Sequence, residues 1–230
     1  MRIGLIGGMS WQSTVEYYRL LNELTRERLG GMHSAECIVH SVEFAPIKAM
    51  QAAGQWAEAA KVLADAARGL EAAGADLLLI CANTMHKVAD EVQAAVSVPL
   101  LHIGDVTANA VQHAGLRTVG LVGTRFTMEQ DFLRSRLESH GLTVLVPVEQ
   151  GDRDELHRII YEELSRGRFE PDSKKVCLAA IDRLVADGAE GVILGCTELE
   201  LLVKPGDADV PLFPTTRLHV EAALEAAGVV

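Results

Sequence analysis

The chain has no run of basic residues, no CxxC pair and no apolar stretch near the roughly 20 residues a membrane span needs. A net charge of −11 without a basic run argues against a nucleic-acid partner, because nothing gathers to neutralise phosphates. An acidic chain that binds an anion must place cations and amide donors locally. The four cysteines, Cys37, Cys81, Cys177 and Cys196, are too few for a disulfide framework in 230 residues and fit a reduced, cytosolic setting. No His/Cys/Asp/Glu spacing supports a metal site. Met1-Arg2 runs directly into Ile3-Gly4-Leu5-Ile6-Gly7-Gly8, a strand and turn rather than a leader with a small-residue cleavage site. The same glycines lack the GxGxxG spacing of a dinucleotide fingerprint. At 49% hydrophobic and 23% charged residues, the chain has the composition of a folded protein.

What is present is a repeat. Gly74-Ala75-Asp76 leads through an apolar stretch into Cys81-Ala82-Asn83-Thr84, and Gly188-Ala189-Glu190 leads likewise into Gly195-Cys196-Thr197-Glu198. The two copies are offset by 114 residues, which aligns Ala82 with Cys196. A second pair, Arg2 to Gly8 and Thr118 to Thr124, is offset by 116. Self-similarity over half the length implies two like lobes rather than a solenoid.

Apolar strands without alternation, at 2–6, 77–81 and 118–124, separated by helical patterns, predict parallel sheets covered on both faces. Ile38 to Val42 and Val98 to Ile103 are further strand candidates. Helices are expected after Gly8, capped by Ser13 or Thr14 with Val15, Tyr18, Leu21 and Leu24 inward. Others are expected with Trp56, Ala60, Leu63, Ala67 and Leu70 on one face, over about Met128 to Leu137, and around Cys177, Ala180, Ile181 and Leu184. The fold class is α/β: two pseudo-symmetric lobes, 1–99 plus 214–230 and 100–213, each a mostly parallel sheet flanked by helices, with the active site in the cleft between them. Ligands of open α/β sheets sit at the carboxyl ends of strands, which is where 7–10, 82–86, 123–127 and 196–198 fall.

Asn83, Thr84 and Thr197 follow the paired strands, where side-chain donors and helix-start amides suit a carboxylate or phosphate; capping of their own helices is the structural alternative. Cys196 lies where backbone amides can lower a thiol pKa. Cys81 aligns with Gly195, one step out of phase, so it faces packing, and Cys37 and Cys177 read as structural. His86, beside the first loop, is positioned to touch a ligand, whereas His102 reads as a core histidine.

Four motifs carry a resemblance: Gly7-Gly8-Met9-Ser10-Trp11, Asn83-Thr84-Met85-His86-Lys87, Gly123 to Glu129, and Gly195-Cys196-Thr197-Glu198. They are similar to those of the aspartate/glutamate racemase family, nearest its bacterial L-aspartate/glutamate branch. The resemblance implies two lobes, a small dicarboxylic amino-acid substrate, no cofactor (no pyridoxal phosphate), no nucleic-acid or membrane partner, and a homodimer. It implies racemisation by two groups that flank Cα, one removing a proton and the other returning one. The second maps onto Cys196 and the first onto Ala82, which has no proton to exchange, so two-base transfer is expected to be impaired. The chain is then an alanine variant of a racemase, or a water or neighbour such as His86 stands in, or the reaction needs Cys196 alone, as in the arylmalonate decarboxylases that resemble single-cysteine members. A non-catalytic dicarboxylate-binding protein is the remaining alternative. Met9, Ser10, Asn83, Thr84, Thr124, Thr197 and Glu198 map onto substrate-binding positions, and Lys48, Arg125 and Arg166 are candidate cations for a side-chain carboxylate.

Overall fold

The computed structural model describes residues 1–229 and forms two compact units: 1–102 with 219–229, and 103–218. The first contains β1 (Ile3–Gly7), α1 (Trp11–Leu29), β2 (Cys37–Ser41), α2 (Phe44–Ala52), α3 (Trp56–Ala72), β3 (Leu77–Ile80) and α4 (Ala89–Ala94), with a 3₁₀ turn over Thr84–Val88. Its sheet is parallel in the order β2-β1-β3. Every residue of β1 and β3 is buried. Alternate side chains leave the sheet on opposite faces: Ile6, Leu78 and Ile80 pack with Ile47, Leu63 and Leu70, while Ile3, Leu5, Leu77, Leu79 and Cys81 pack with Tyr17, Leu21, Val220 and Leu224. Helices on both faces thus explain why these strands are apolar without alternation.

Four expectations in this unit are corrected. Ser10, not Ser13 or Thr14, caps α1, its Oγ accepting from the Ser13 amide at 3.4 Å. The inward face of α1 is Tyr17, Leu20, Leu21 and Leu24, and Val15 and Tyr18 are exposed, because at 3.6 residues per turn Tyr17 shares a stripe with Leu21 and Leu24, while steps of three from Val15 drift off it. The segment after Pro99 makes a single bridge, Leu78 to Leu100, rather than a strand, since the next helix begins at Ile103. β2 starts at Cys37, one residue before the expected strand. On α3 the expected face is found, fully buried from Ala60 to Leu70 with Trp56 at its half-buried end.

The second unit contains α5 (Ile103–His113), β4 (Thr118–Gly123), α6 (Arg125–Glu129), α7 (Asp131–Ser139), β5 (Thr143–Leu145), α8 (Gln150–Arg158), α9 (Pro171–Ala186), β6 (Gly191–Gly195), α10 (Thr197–Leu202) and β7 (Leu212–Pro214). A π-helical turn, Ile159–Glu163, follows α8. The helix expected over Met128 to Leu137 is two helices, broken at Gln130, which takes an extended backbone. The sheet is parallel in the order β5-β4-β6-β7. α11 (Thr215–Ala226) begins in this unit and continues into the first.

Strand register reproduces the sequence repeat. Ile6 pairs with Ile80, and their repeat partners Val122 and Leu194 pair with each other; Ile3 with Leu77 matches Val119 with Gly191. The offsets of 116 and 114 are therefore a structural equivalence, and residues 82 and 196 each follow the same strand one step past its last paired position or one beyond it.

Candidate active site

In the first unit three hydrogen bonds fix the backbone around residue 82. The Cys81 amide donates to the Ile6 carbonyl at 2.9 Å, Ser13 Oγ donates to the Cys81 carbonyl at 2.7 Å, and His86 Nδ1 lies 3.0 Å from the Ala82 carbonyl. Asn83 and Thr84 are buried and Ala82 is half-buried. Asn83 starts the 3₁₀ turn without a side-chain cap bond, so capping does not account for it. Met9 and Ser10 follow β1 on the adjacent strand, both buried and joined by a cis peptide. The first unit thereby brings Met9, Ser10, Ala82, Asn83 and Thr84 to the carboxyl ends of paired strands.

A cluster of imidazoles lies beside this loop. The His86 ring is 4.9 Å from His102 and 5.6 Å from His219 between centroids. His219 is satisfied at both nitrogens: Nε2 at 2.9 Å from the Leu101 carbonyl and Nδ1 at 2.9 Å from the Tyr17 hydroxyl. A carbonyl only accepts, so Nε2 carries the proton and Tyr17 donates to Nδ1. Burial first, and the charge of neighbouring imidazoles less, push His219 down to about 3 and His86 well below the usual imidazole range, against the upward pull of the carbonyls they bond. Both are therefore neutral at pH 7.

Such neutral burial makes acid destabilising. The unfolded chain protonates His219 near 6.5, the folded one only near about 3, so the unfolded state binds more protons between those values. Stability is complete above about pH 6.5 and falls as pH drops toward 3, the loss from His219 growing by about 1.4 kcal/mol per pH unit to roughly 5 kcal/mol where the folded imidazole is charged as well. Urea unfolding at pH 7.5, 6 and 5 should give a declining free energy, and His219→Gln should flatten that decline; an unchanged slope would refute the assignment.

In the second unit Cys196 is the N-cap residue of α10, directly after β6. Its Sγ–H donates to Glu198 Oε2 at 3.1 Å, and Cys196, Thr197 and Glu198 are all buried. The amides of Glu198 and Leu199 pull the thiol pKa down, as expected, but burial and the Glu198 carboxylate outweigh them and hold it well above the usual thiol range. The resting group is a thiol with its proton aimed at a carboxylate. Thr197 Oγ1 accepts from Thr216 Oγ1 at 3.1 Å. The Thr216 amide donates to Glu200 Oε1 at 2.7 Å, and burial pushes Glu200 up to about 8. Thr124 caps α6 at the end of β4, and Gly123 pairs with Gly195, so Thr124 and Cys196 leave neighbouring strands.

Of the candidate cations, Arg125 lies 3.6 Å from Asp154 and 4.0 Å from Glu129, while Lys48 on α2 and Arg166 are exposed. Sequence reasoning missed Ser13 as an anchor of the loop, Tyr17, His219 and Glu200; each acts through a partner distant in sequence, and none sits in a motif. Cys81 and Cys177 are buried in packing. Among the described residues, no group of three or more His, Cys, Asp or Glu could hold a metal ion, and no helix is long and apolar enough to cross a membrane.

A buried thiol and a loop of Asn and Thr donors, at equivalent strand ends in two like units, define an isomerase of the amino-acid racemase type. Residues 6–223 match the family model described as Asp/Glu/hydantoin racemase, and the chain belongs to that family. It is 49% identical to a candidate Asp/Glu racemase from Yersinia pestis, with a TM-score of 0.90 over 98% of both chains. It is 39% identical to an aspartate racemase homologue from Pyrococcus horikoshii OT3, with a TM-score of 0.87 over 99% of both chains. It is also 25% identical to the broad specificity amino-acid racemase RacX of Bacillus subtilis, across 69% of this chain and 68% of the relative.

Proposed function

We propose that the chain interconverts the enantiomers of a small dicarboxylic amino acid, aspartate or glutamate, by proton transfer at Cα. The observation that carries the reading is the Cys196 thiol held 3.1 Å from Glu198 at the end of β6. Cys196 returns or removes the Cα proton on one face, and Glu198, its hydrogen-bond partner, accepts the thiol proton when sulfur must act as base. Asn83, Thr84, Thr124 and Thr197 are donors to the substrate carboxylates, and Met9 and Ser10 are further substrate contacts. Family membership and the two solved structures described as a candidate Asp/Glu racemase and an aspartate racemase homologue support the choice of substrate. A homodimer, checked by a sedimentation mass twice that of the chain, and a reduced, cytosolic compartment that preserves the thiol complete the reading.

Ala82 favours a second reading, in which Cys196 alone protonates one face, as in decarboxylation of a substituted malonate. One experiment separates the two. With L-aspartate and L-glutamate in D₂O, racemisation gives deuterated D-enantiomer, and one-base chemistry gives deuterated L-enantiomer of retained configuration. Absence of D-product from this chain and from both Ala82→Cys and Ala82→Thr would sink the racemase assignment.

A further inference from the structure

We propose that His86 is the proton-transfer group on the face of Cα that Ala82 leaves without chemistry, an inference that rests on the racemase reading above. The imidazole is 3% exposed and stands against the backbone of residue 82 through Nδ1. The Ala82 carbonyl only accepts, so Nδ1 carries the proton and Nε2 carries the lone pair. Nε2 is buried and has no hydrogen-bond partner.

That orphan nitrogen distinguishes His86 from a packed core histidine. His219, in the same cluster, has both nitrogens bonded. A buried imidazole nitrogen left without a partner is costly, and such exceptions call for an unplaced water, a ligand or a catalytic role. The ring is also held in place, edge-to-face with His102 and His219. The cluster's burial keeps His86 neutral at working pH, which preserves the lone pair. Proton transfer to it needs contact directly or across one water, and an alanine at 82 offers no competing group.

The step balances without a cofactor. Nε2 takes the proton from Cα, the C–H electron pair passes to the substrate as a carbanion, and His86 becomes an imidazolium. Cys196 delivers its thiol proton to the opposite face, the S–H electron pair stays on sulfur, and a thiolate forms. One C–H bond breaks and another forms with inverted configuration. The positive and negative charges appear together and are discharged when the proton returns from Nε2 to sulfur through water.

The test compares this chain, Ala82→Cys, His86→Asn and the double variant Ala82→Cys/His86→Asn, with L-aspartate and L-glutamate in D₂O. The asparagine amide can still donate to the Ala82 carbonyl but has no group at Nε2. The expected result is inversion by the unaltered chain and a loss of roughly 10²- to 10⁴-fold in His86→Asn. When D-aspartate or D-glutamate is supplied instead, whose Cα proton faces Cys196, that variant should still take up deuterium with retention, and the double variant should recover inversion of the L-substrates. The inference is overturned if His86→Asn inverts at the original rate, if the double variant fails to recover, or if Ala82→Cys inverts while the unaltered chain does not. If none of the four chains inverts either substrate, the racemase reading itself falls.

Discussion

Replacing Cys196 by serine is expected to reduce inversion of the dicarboxylic substrate by roughly 10²- to 10⁴-fold, the range that one positioned acid or base contributes. Serine preserves the shape, so the buried position after β6 stays filled. What changes is proton affinity: a hydroxyl is far less acidic than a thiol and cannot serve as a comparable proton donor to a carbanion. The thiol of Cys196 is already held above its usual range by burial and by Glu198, so a group of still higher pKa would be almost wholly protonated and inert as a base. Chiral chromatography of product against time measures the loss. Urea unfolding should show little change for Cys196→Ser, which separates lost chemistry from lost fold. Inversion at an undiminished rate would remove Cys196 from the mechanism.

The largest effect on folding is expected at Gly8. Its φ is +91°, a region that side-chain-bearing residues rarely adopt. A Cβ built there would lie 2.0 Å from the Val42 carbonyl oxygen and 2.6 Å from the Val42 nitrogen. Those are backbone atoms, and the Val42 amide is itself engaged with the Gly7 carbonyl at 3.0 Å, so the neighbour cannot swing away. The left-handed backbone costs about 1–2 kcal/mol, and overpacking adds about 1–3 kcal/mol. Gly8→Ala should therefore lose roughly 2–5 kcal/mol, a large part of the ~5–15 kcal/mol that holds a domain together. A chemical denaturation midpoint close to that of the unaltered chain would show that the β1 turn relaxes instead. The Gly8 amide also donates to Thr14 Oγ1 at 2.8 Å, so the same substitution should disturb Met9 and Ser10 and lower activity in whatever protein still folds.

The central strands β1, β3, β4 and β6 were legible because burial on both faces leaves no polar residue to interrupt them, and Gly7-Gly8, Gly123 and Gly195 mark where three of them end, whereas the short, partly exposed β5 and β7 carry no such signal. The repeat was legible because equal spacing needs no knowledge of side-chain geometry. Motif residues were legible for the same reason: Asn83, Thr84, Cys196 and Thr197 sit immediately past those strands. The face of α1 was misread because Tyr17 and Tyr18 are adjacent and either can be joined to Leu21 by a step of three or four; only packing against the sheet decides for Tyr17. The pairing of Tyr17 with His219 spans 202 residues, and no local pattern announces it. Glu200 reads as an ordinary charge until the Thr215 and Thr216 donors close on it. The thiol's position directly past β6 was legible, but the direction of its pKa was not, because the charge two residues along only counts once both groups are dry.

The bonds that immobilise the chain at Cys81 and Ala82 all use main-chain atoms of those two residues, contributed by Ile6, Ser13 and His86. Position 82 is consequently a socket: its methyl packs against the core of the first unit, but the hydrogen bonds that frame it come from other residues. Exchanging the methyl there for a thiol or a hydroxyl removes none of those three bonds, so a proton carrier can be added at position 82 while its mount stays in place.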